Sequence, residues 1–183
     1  MKSAMSRMMI AVLVAVLAGQ ARAVAVWSGG NAGDDFGLRG LKLDGTPVFG
    51  LTKPAADTVR SIERGPDGNV YVSDAGINKV SKWDAHGNLL DADWIPSTTL
   101  SQKQNYGSDW GPNGNFYQLM NLDMEVLVFD ASGGTPNSTI DLTAGGTLFP
   151  GFTVDLEFDS IGKFYVTDVN NGRIFRYHFQ WHP

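Results

Sequence analysis

The sequence predicts an all-β fold, a β-propeller of about three and a half to four four-stranded blades, and three observations carry that prediction. First, residues 59–84 (VRSIERGPDGNVYVSDAGINKVSKWD) recur as 105–130 (NYGSDWGPNGNFYQLMNLDMEVLVFD) and as 153–178 (TVDLEFDSIGKFYVTDVNNGRIFRYH), aligned without a gap. Second, the spacing is regular: from Gly68 to Gly114 is 46 residues, and from Gly114 to Gly162 is 48. A period of this length, with several short strands in each unit, is the signature of propeller blades. Third, glycine is abundant and helical periodicity is missing after the first 23 residues, which favours strands and turns.

Each copy opens on a short strand and turns at a tetrad: Gly65-Pro66-Asp67-Gly68, Gly111-Pro112-Asn113-Gly114 and Asp159-Ser160-Ile161-Gly162. Proline presets φ early in such a turn, Asp or Asn caps it, and the last glycine accepts positive φ. A second strand follows at 70–73, 116–119 and 164–167, rich in β-branched and aromatic residues, as buried strands are. A third ends on Trp83, Phe129 or Tyr177, predicted to lie between blades. Near-continuous apolar runs suit strands covered on both faces.

Residues 1–23 read as a signal peptide. Lys2 and Arg7 form a basic start, 8–19 an apolar core, and Ala21-Arg22-Ala23 a cleavage signal; the apolar run is shorter than the roughly 20 residues of a spanning helix. The mature chain is expected to begin near Val24 and to be secreted or periplasmic. It divides into an incomplete blade at 24–58, blades at 59–104 and 105–152, and an incomplete blade at 153–183. In the first, no strand before Val24 is expected, and 41–49 reads as a hairpin with Asp44-Gly45 at its tip. The last stops before a fourth strand. Propellers close with roughly four to eight blades. The expected outcomes are a compact four-bladed ring, an oligomer that completes a larger ring through open blade edges, or an open arc from a truncated gene product. The terminal HFQWHP follows no blade pattern, which favours the last.

Removing 1–23 takes away Lys2, Arg7 and Arg22 and no acid, moving the net charge from −5 to −8. Such a chain lacks the basic footprint of nucleic-acid binding and a basic amphipathic stretch for anionic membranes. Without cysteine it can form no disulfide, thiolate nucleophile or Cys-ligated zinc site. The three histidines, His86, His178 and His182, are scattered, so no Ser/His/Asp or paired-His spacing is present.

Acids are the remaining candidates for chemistry. Glu63, Asp109 and Glu157 each stand two residues before a tetrad, on equivalent inner strands, with Asp155 two residues from Glu157. Carboxylates converging there would suit a hard divalent cation such as Ca²⁺. The alternative is acids paired with Arg60, Arg64 or Lys82. Asp74 and Asp168 end the second strand before a Gly/Asn loop and are expected to cap its backbone amides. The longer loops, 52–58, 96–104 and 143–152, share one face and are the expected binding face.

The run Tyr165-Val166-Thr167-Asp168-Val169-Asn170-Asn171-Gly172-Arg173-Ile174 resembles the core of an NHL repeat, and Tyr71-Val72-Ser73-Asp74 through Asn78-Lys79-Val80 is similar. The middle copy departs, with Met120 in place of the Asp and Glu125 in place of the basic residue. The pattern also resembles the gluconolactonase-like propellers. Asn105-Tyr106-Gly107-Ser108-Asp109-Trp110 is similar to that family's Asn-Gly-x-x-Trp strand and 154–159 to its Asp-bearing strand, both out of step by about one residue. That resemblance implies a channel metal held by Glu, Asn and Asp, which brings Asn105 into the candidate set, and lactone hydrolysis. Two functions follow: an extracytoplasmic module that binds a protein, peptide or glycan, or a degenerate metal-dependent lactone hydrolase.

Overall fold

The computed structural model describes residues 11–14, 26–29, 38–49, 58–100, 104–143 and 153–177. It is built of four antiparallel sheets, each with its strands in chain order. The first holds β1 (Ala11–Val14), β2 (Val26–Gly29), β3 (Arg39–Leu41) and β4 (Pro47–Phe49). The second holds β5 (Val59–Arg64), β6 (Val70–Asp74), β7 (Lys79–Trp83) and β8 (Leu89–Ile95). The third holds β9 (Asn105–Trp110), β10 (Phe116–Met120), β11 (Glu125–Phe129) and β12 (Ser138–Asp141). The fourth has three strands, β13 (Thr153–Phe158), β14 (Phe164–Asp168) and β15 (Arg173–Tyr177).

Two features differ from the sequence reading. The first sheet has an inner strand: Ala11–Val14 pairs antiparallel with β2, Ala11 opposite Gly29 and Val14 opposite Val26. Part of the apolar run read as a leader core thus forms a strand, and it fills the position expected to be empty. The rest of 1–23 lies outside the described residues, as do 50–57, 101–103 and 144–152, most of the expected binding loops. The second difference is a single helical turn, α1 (Ser97–Leu100). It begins at Pro96, whose carbonyl accepts from the amides of Thr99 and Leu100.

Local chemistry explains the repeated turns. In all three tetrads the first residue's amide donates to the carbonyl four residues on, and the last glycine donates back to the first residue. Those glycines, Gly68, Gly114 and Gly162, sit at φ of 81°, 79° and 81°, where a Cβ is strained. A tyrosine on the second strand completes each turn. Tyr71 donates to Asp67 Oδ2 at 2.9 Å, Asn113 donates to Tyr117 Oη at 3.2 Å, and Tyr165 donates to Asp159 Oδ2 at 3.1 Å. The first tetrad residue is glycine in two copies because that ring lies over it: a Cβ on Gly65 would come within 2.4 Å of Tyr71.

Successive sheets stack face to face on apolar side chains. Trp27, Leu38, Val59, Ile62, Val70, Val72 and Trp83 fill the first seam. Tyr71, Val80, Trp94, Phe116 and Phe129 stand in the second, and Tyr117, Leu119, Val126, Leu156, Phe164 and Val166 in the third. Trp83 and Phe129 are buried between sheets, and Tyr177 packs partly buried with ring centroids 4.8 Å from Phe164. Both β6 and β10 are buried at every residue, whereas β14 alternates buried and half-buried. Among the described residues a middle sheet has a neighbouring sheet on each face and the last has one.

Candidate functional site

The inner strands β5, β9 and β13 run side by side, and the repeat puts Glu63, Asp109 and Glu157 at one level. Each is directly opposite the turn-completing tyrosine of its own sheet: Glu63 faces Tyr71, Asp109 faces Tyr117 and Glu157 faces Tyr165. The strands approach closely because β9 carries Gly107, where a Cβ would come within 2.6 Å of the Asp155 backbone. Bulges at Val59/Ser61 and Thr153/Leu156 interrupt the ladders above this level, so simple alternation does not carry through β13 from Thr153 to Glu157.

The four acids lie within electrostatic range of one another. Burial pushes Glu63 well above the usual carboxylate range, and Asp109, Glu157 and Asp155 add repulsion against the opposing Ser61 hydrogen bond. Glu157, the most exposed of the four, is pushed up to about 7 by desolvation and then by Asp109 and Asp155. Asp109 is raised by burial, against the pull of its two backbone donors; Asp155 is raised by burial and by Asp109.

Three of these carboxylates also accept hydrogen bonds, and that of Asp109 joins two sheets. Asp109 Oδ2 accepts from the Phe158 amide of the next sheet at 2.7 Å, while Oδ1 accepts from Trp110 N at 2.6 Å. Glu63 Oε1 accepts from Ser61 Oγ at 2.7 Å, and Asp155 Oδ1 from Leu156 N at 3.1 Å. Among the described residues no three His, Asp or Glu side chains are close enough together to hold a metal ion. Asn105 is not brought to the acids. It is fully buried, its Nδ2 donating to the Lys79 carbonyl of β7 at 3.2 Å.

Nor do the expected cations pair with the channel acids. Lys82 bonds Asp67 Oδ2 at 2.9 Å and, with Asn69 and Tyr71, holds Asp67 down to about 2 against partial desolvation. Arg60 lies over the Tyr106 ring, 4.9 Å from its centroid.

Asp74 and Asp168 stand at the loop after the second strand. Asp74 Oδ1 accepts from the amides of Thr58 at 2.9 Å, Gly76 at 2.8 Å and Ile77 at 3.3 Å. Asp168 accepts from the amides of Asn170 and Asn171 at 3.1 and 3.2 Å and from Asn171 Nδ2 at 2.7 Å. The Asn171 amide, ahead of the backbone donors, holds Asp168 below the usual carboxylate range.

A buried polar network escaped the sequence reading. Ser61 and Ser108 are joined at 3.0 Å, Ser108 and Ser73 at 3.1 Å, and Ser73 donates to Gln118 Oε1 at 2.7 Å. Gln118 Nε2 is shared among the carbonyls of Tyr106, Gly107 and Leu119. The signal that could have found it is Gln118 itself, a lone amide inside the apolar run 116–120.

No protein-family model matches the chain, and no curated protein does. Solved structures do. Virginiamycin B lyase from Staphylococcus aureus is 12% identical with a TM-score of 0.60, covering 86% of this chain and 53% of that one. The WD40 beta propeller domain of Doa1 is 15% identical with a TM-score of 0.56, covering 82% and 45%. The fold is a β-propeller. Regucalcin from Agrobacterium tumefaciens, a calcium-binding protein, is 18% identical with a TM-score of 0.59 and covers 82% and 56%. The chain thus spans about half the length of these propellers. Identity this low carries the blade architecture and none of the activities.

Proposed function

We propose that this propeller segment is an extracytoplasmic binding module that presents its longer loops to a protein, peptide or glycan. The supporting observation is the commitment of the inner-strand carboxylates: Asp109 ties β9 to the Phe158 amide and Glu63 is held by Ser61. Asp109 spent on joining two blades, and Glu63 on its own strand, stiffen a scaffold on which loops can vary. Export rests on the basic and apolar pattern of 1–23, and cleavage near Val24 would release β1 with the leader. Among the described residues no helix is long and apolar enough to cross a membrane.

One observation favours the metal-dependent hydrolase as a second reading. Four carboxylates raised by burial, and three of them further by neighbouring acids, would be relieved by a divalent cation. The test is calorimetric titration of the purified chain with Ca²⁺, Mg²⁺, Mn²⁺ and Zn²⁺, a lactone hydrolysis assay, and peptide and glycan arrays. The binding module is expected to give saturable array binding that is weakened by replacing Pro96–Leu100, and no lactone turnover above buffer. Turnover that follows a single bound ion and is lost in Glu63→Gln would overturn it.

A further inference from the structure

We infer that Asn171 is a site of spontaneous chemical modification: its side-chain amide is lost to water, leaving a carboxylate in the loop after β14. The reaction favours an exposed Asn followed by glycine, because the next residue's backbone nitrogen is the nucleophile and a side chain there would crowd it. Asn-Gly occurs twice, at Asn113-Gly114 and Asn171-Gly172, and both asparagines are exposed. The fold separates them. Gly114 N donates to the Gly111 carbonyl at 2.9 Å, and Asn113 Oδ1 accepts from the Asn115 amide at 3.1 Å. Both reacting groups are thereby engaged elsewhere. The Asp-Gly pairs, Asp44-Gly45 and Asp67-Gly68, are tied in the same way, their glycine amides donating to the Lys42 and Gly65 carbonyls at 2.9 Å. Among the described residues the Gly172 amide has no such partner. Gly172 stands at φ 60°, the left-handed position that Asn78 and Met124 fill in the earlier loops. The openness belongs to the loop and not to the end of the arc. Asp123, the counterpart of Asn171 in the third sheet, is exposed with a neighbouring sheet on each face.

The bonds balance with water as the sole co-reactant. Gly172 N gives its proton to hydroxide and attacks Asn171 Cγ; the Cγ–Nδ2 bond breaks, and ammonia leaves with a proton taken from water. Water then opens the cyclic imide at either carbonyl. One opening gives aspartate at 171, and the other gives isoaspartate, with the main chain running through the side-chain carbon. Closure needs the Asn171 amide to swing off Asp168 Oδ2, to which it donates at 2.7 Å, and a solvent-exposed loop tip opens locally at little cost. The product cannot remake that bond. Where Nδ2 donated, an acceptor now faces the buried Asp168, and like charges in contact repel. Arg173, which already helps to hold Asp168 ionised, offsets part of this. The outcome is an irreversible loosening of the loop, set by the age of the molecule. It falls first on the Asn170 and Asn171 amides, which donate to Asp168. Neither functional reading above is needed for it.

The experiment ages the purified full chain in mildly alkaline buffer at body temperature over weeks, digests samples and follows the Asn113 and Asn171 peptides by mass spectrometry. The Asn171 peptide is expected to gain the mass difference between an amide and an acid and to split into aspartate and isoaspartate forms. It should do so roughly tenfold faster than the Asn113 peptide. Gly172→Asn, a residue that the repeat accommodates at Asn78 with φ 51°, should slow the reaction by roughly tenfold, because a side chain then crowds the nucleophile. Asn171→Asp stands in for the aspartate product. Hydrogen exchange at the 170 and 171 amides should speed severalfold in that variant and in aged protein, with the third sheet unchanged. Three results overturn the inference: Asn171 surviving as long as Asn113, Gly172→Asn reacting at the wild-type rate, or aged chain and Asn171→Asp exchanging like fresh wild type.

Discussion

Asp168 and His86 occupy turns of the same blade pattern at different depths, and their substitutions should separate. Asp168 is buried and accepts three hydrogen bonds from its loop, whereas His86 is exposed and only grazes Asp84 at 3.9 Å. Asp168→Ala is expected to cost about 1–3 kcal/mol and His86→Ala close to zero, read as urea midpoints. The acids give the molecule a pH signature of two opposite signs. Folding raises Glu63, Asp109, Asp155 and Glu157, so between 4.5 and about 7 the native state binds more protons than the unfolded chain, and stability falls as pH rises. Folding lowers Asp67 to about 2 and lowers Asp84 and Asp168, so their stabilisation is present above the ordinary aspartate value of 3.8 and lost in more acid solution. Glu157→Gln should flatten the upper slope and leave the acid limb unchanged, measured as midpoints across the two windows.

At the level of strands and turns, the tightest constraint is the approach of β13 to β9. Gly107→Val would drive a side chain into the backbone at Asp155. It is expected to destabilise by several kcal/mol, on the order of the worst core substitutions, and to leave the third sheet better protected from hydrogen exchange than the fourth. Gly65→Ala, against the Tyr71 ring, should cost about 1–3 kcal/mol. These elements mark how much of the fold was legible in the chain. Tetrads and the two strands after them follow from residues within a few positions of one another, and they sit where the repeat predicts. What lies between blades is decided by reach, which a linear pattern does not contain. Ser73 meets Gln118 across 45 residues, and Asn105 turns to the Lys79 carbonyl and away from the acids it precedes. Ala11–Val14 was ambiguous for a different reason, since an export core and a buried strand draw on the same apolar residues.

For the molecule as a whole, each sheet seals its predecessor. Ending the chain before Thr153 would bare Tyr117, Leu119 and Val126, and such a variant is expected to bind a hydrophobic dye strongly and to aggregate on heating. Export makes a separate prediction: in a secreting host the recovered product should have the mass of a chain beginning near Val24, and an intact Met1 terminus on membrane-bound material would refute it. The polar seam between the second and third sheets has one further consequence. Repeats of one backbone pattern risk stacking in the wrong sequence, because any apolar face can settle on any other. Ser73 finds Ser108 and Gln118, and Ser108 finds Ser61, only when the second sheet meets the third. If the fourth sheet took the third's place, Val166 would stand where Gln118 belongs and Leu156 where Ser108 does, and Ser73 would be left dry and unpaired at about 1–3 kcal/mol, with Ser61 keeping only its bond to Glu63. The seam therefore works as a key, proofreading the order in which the repeats assemble.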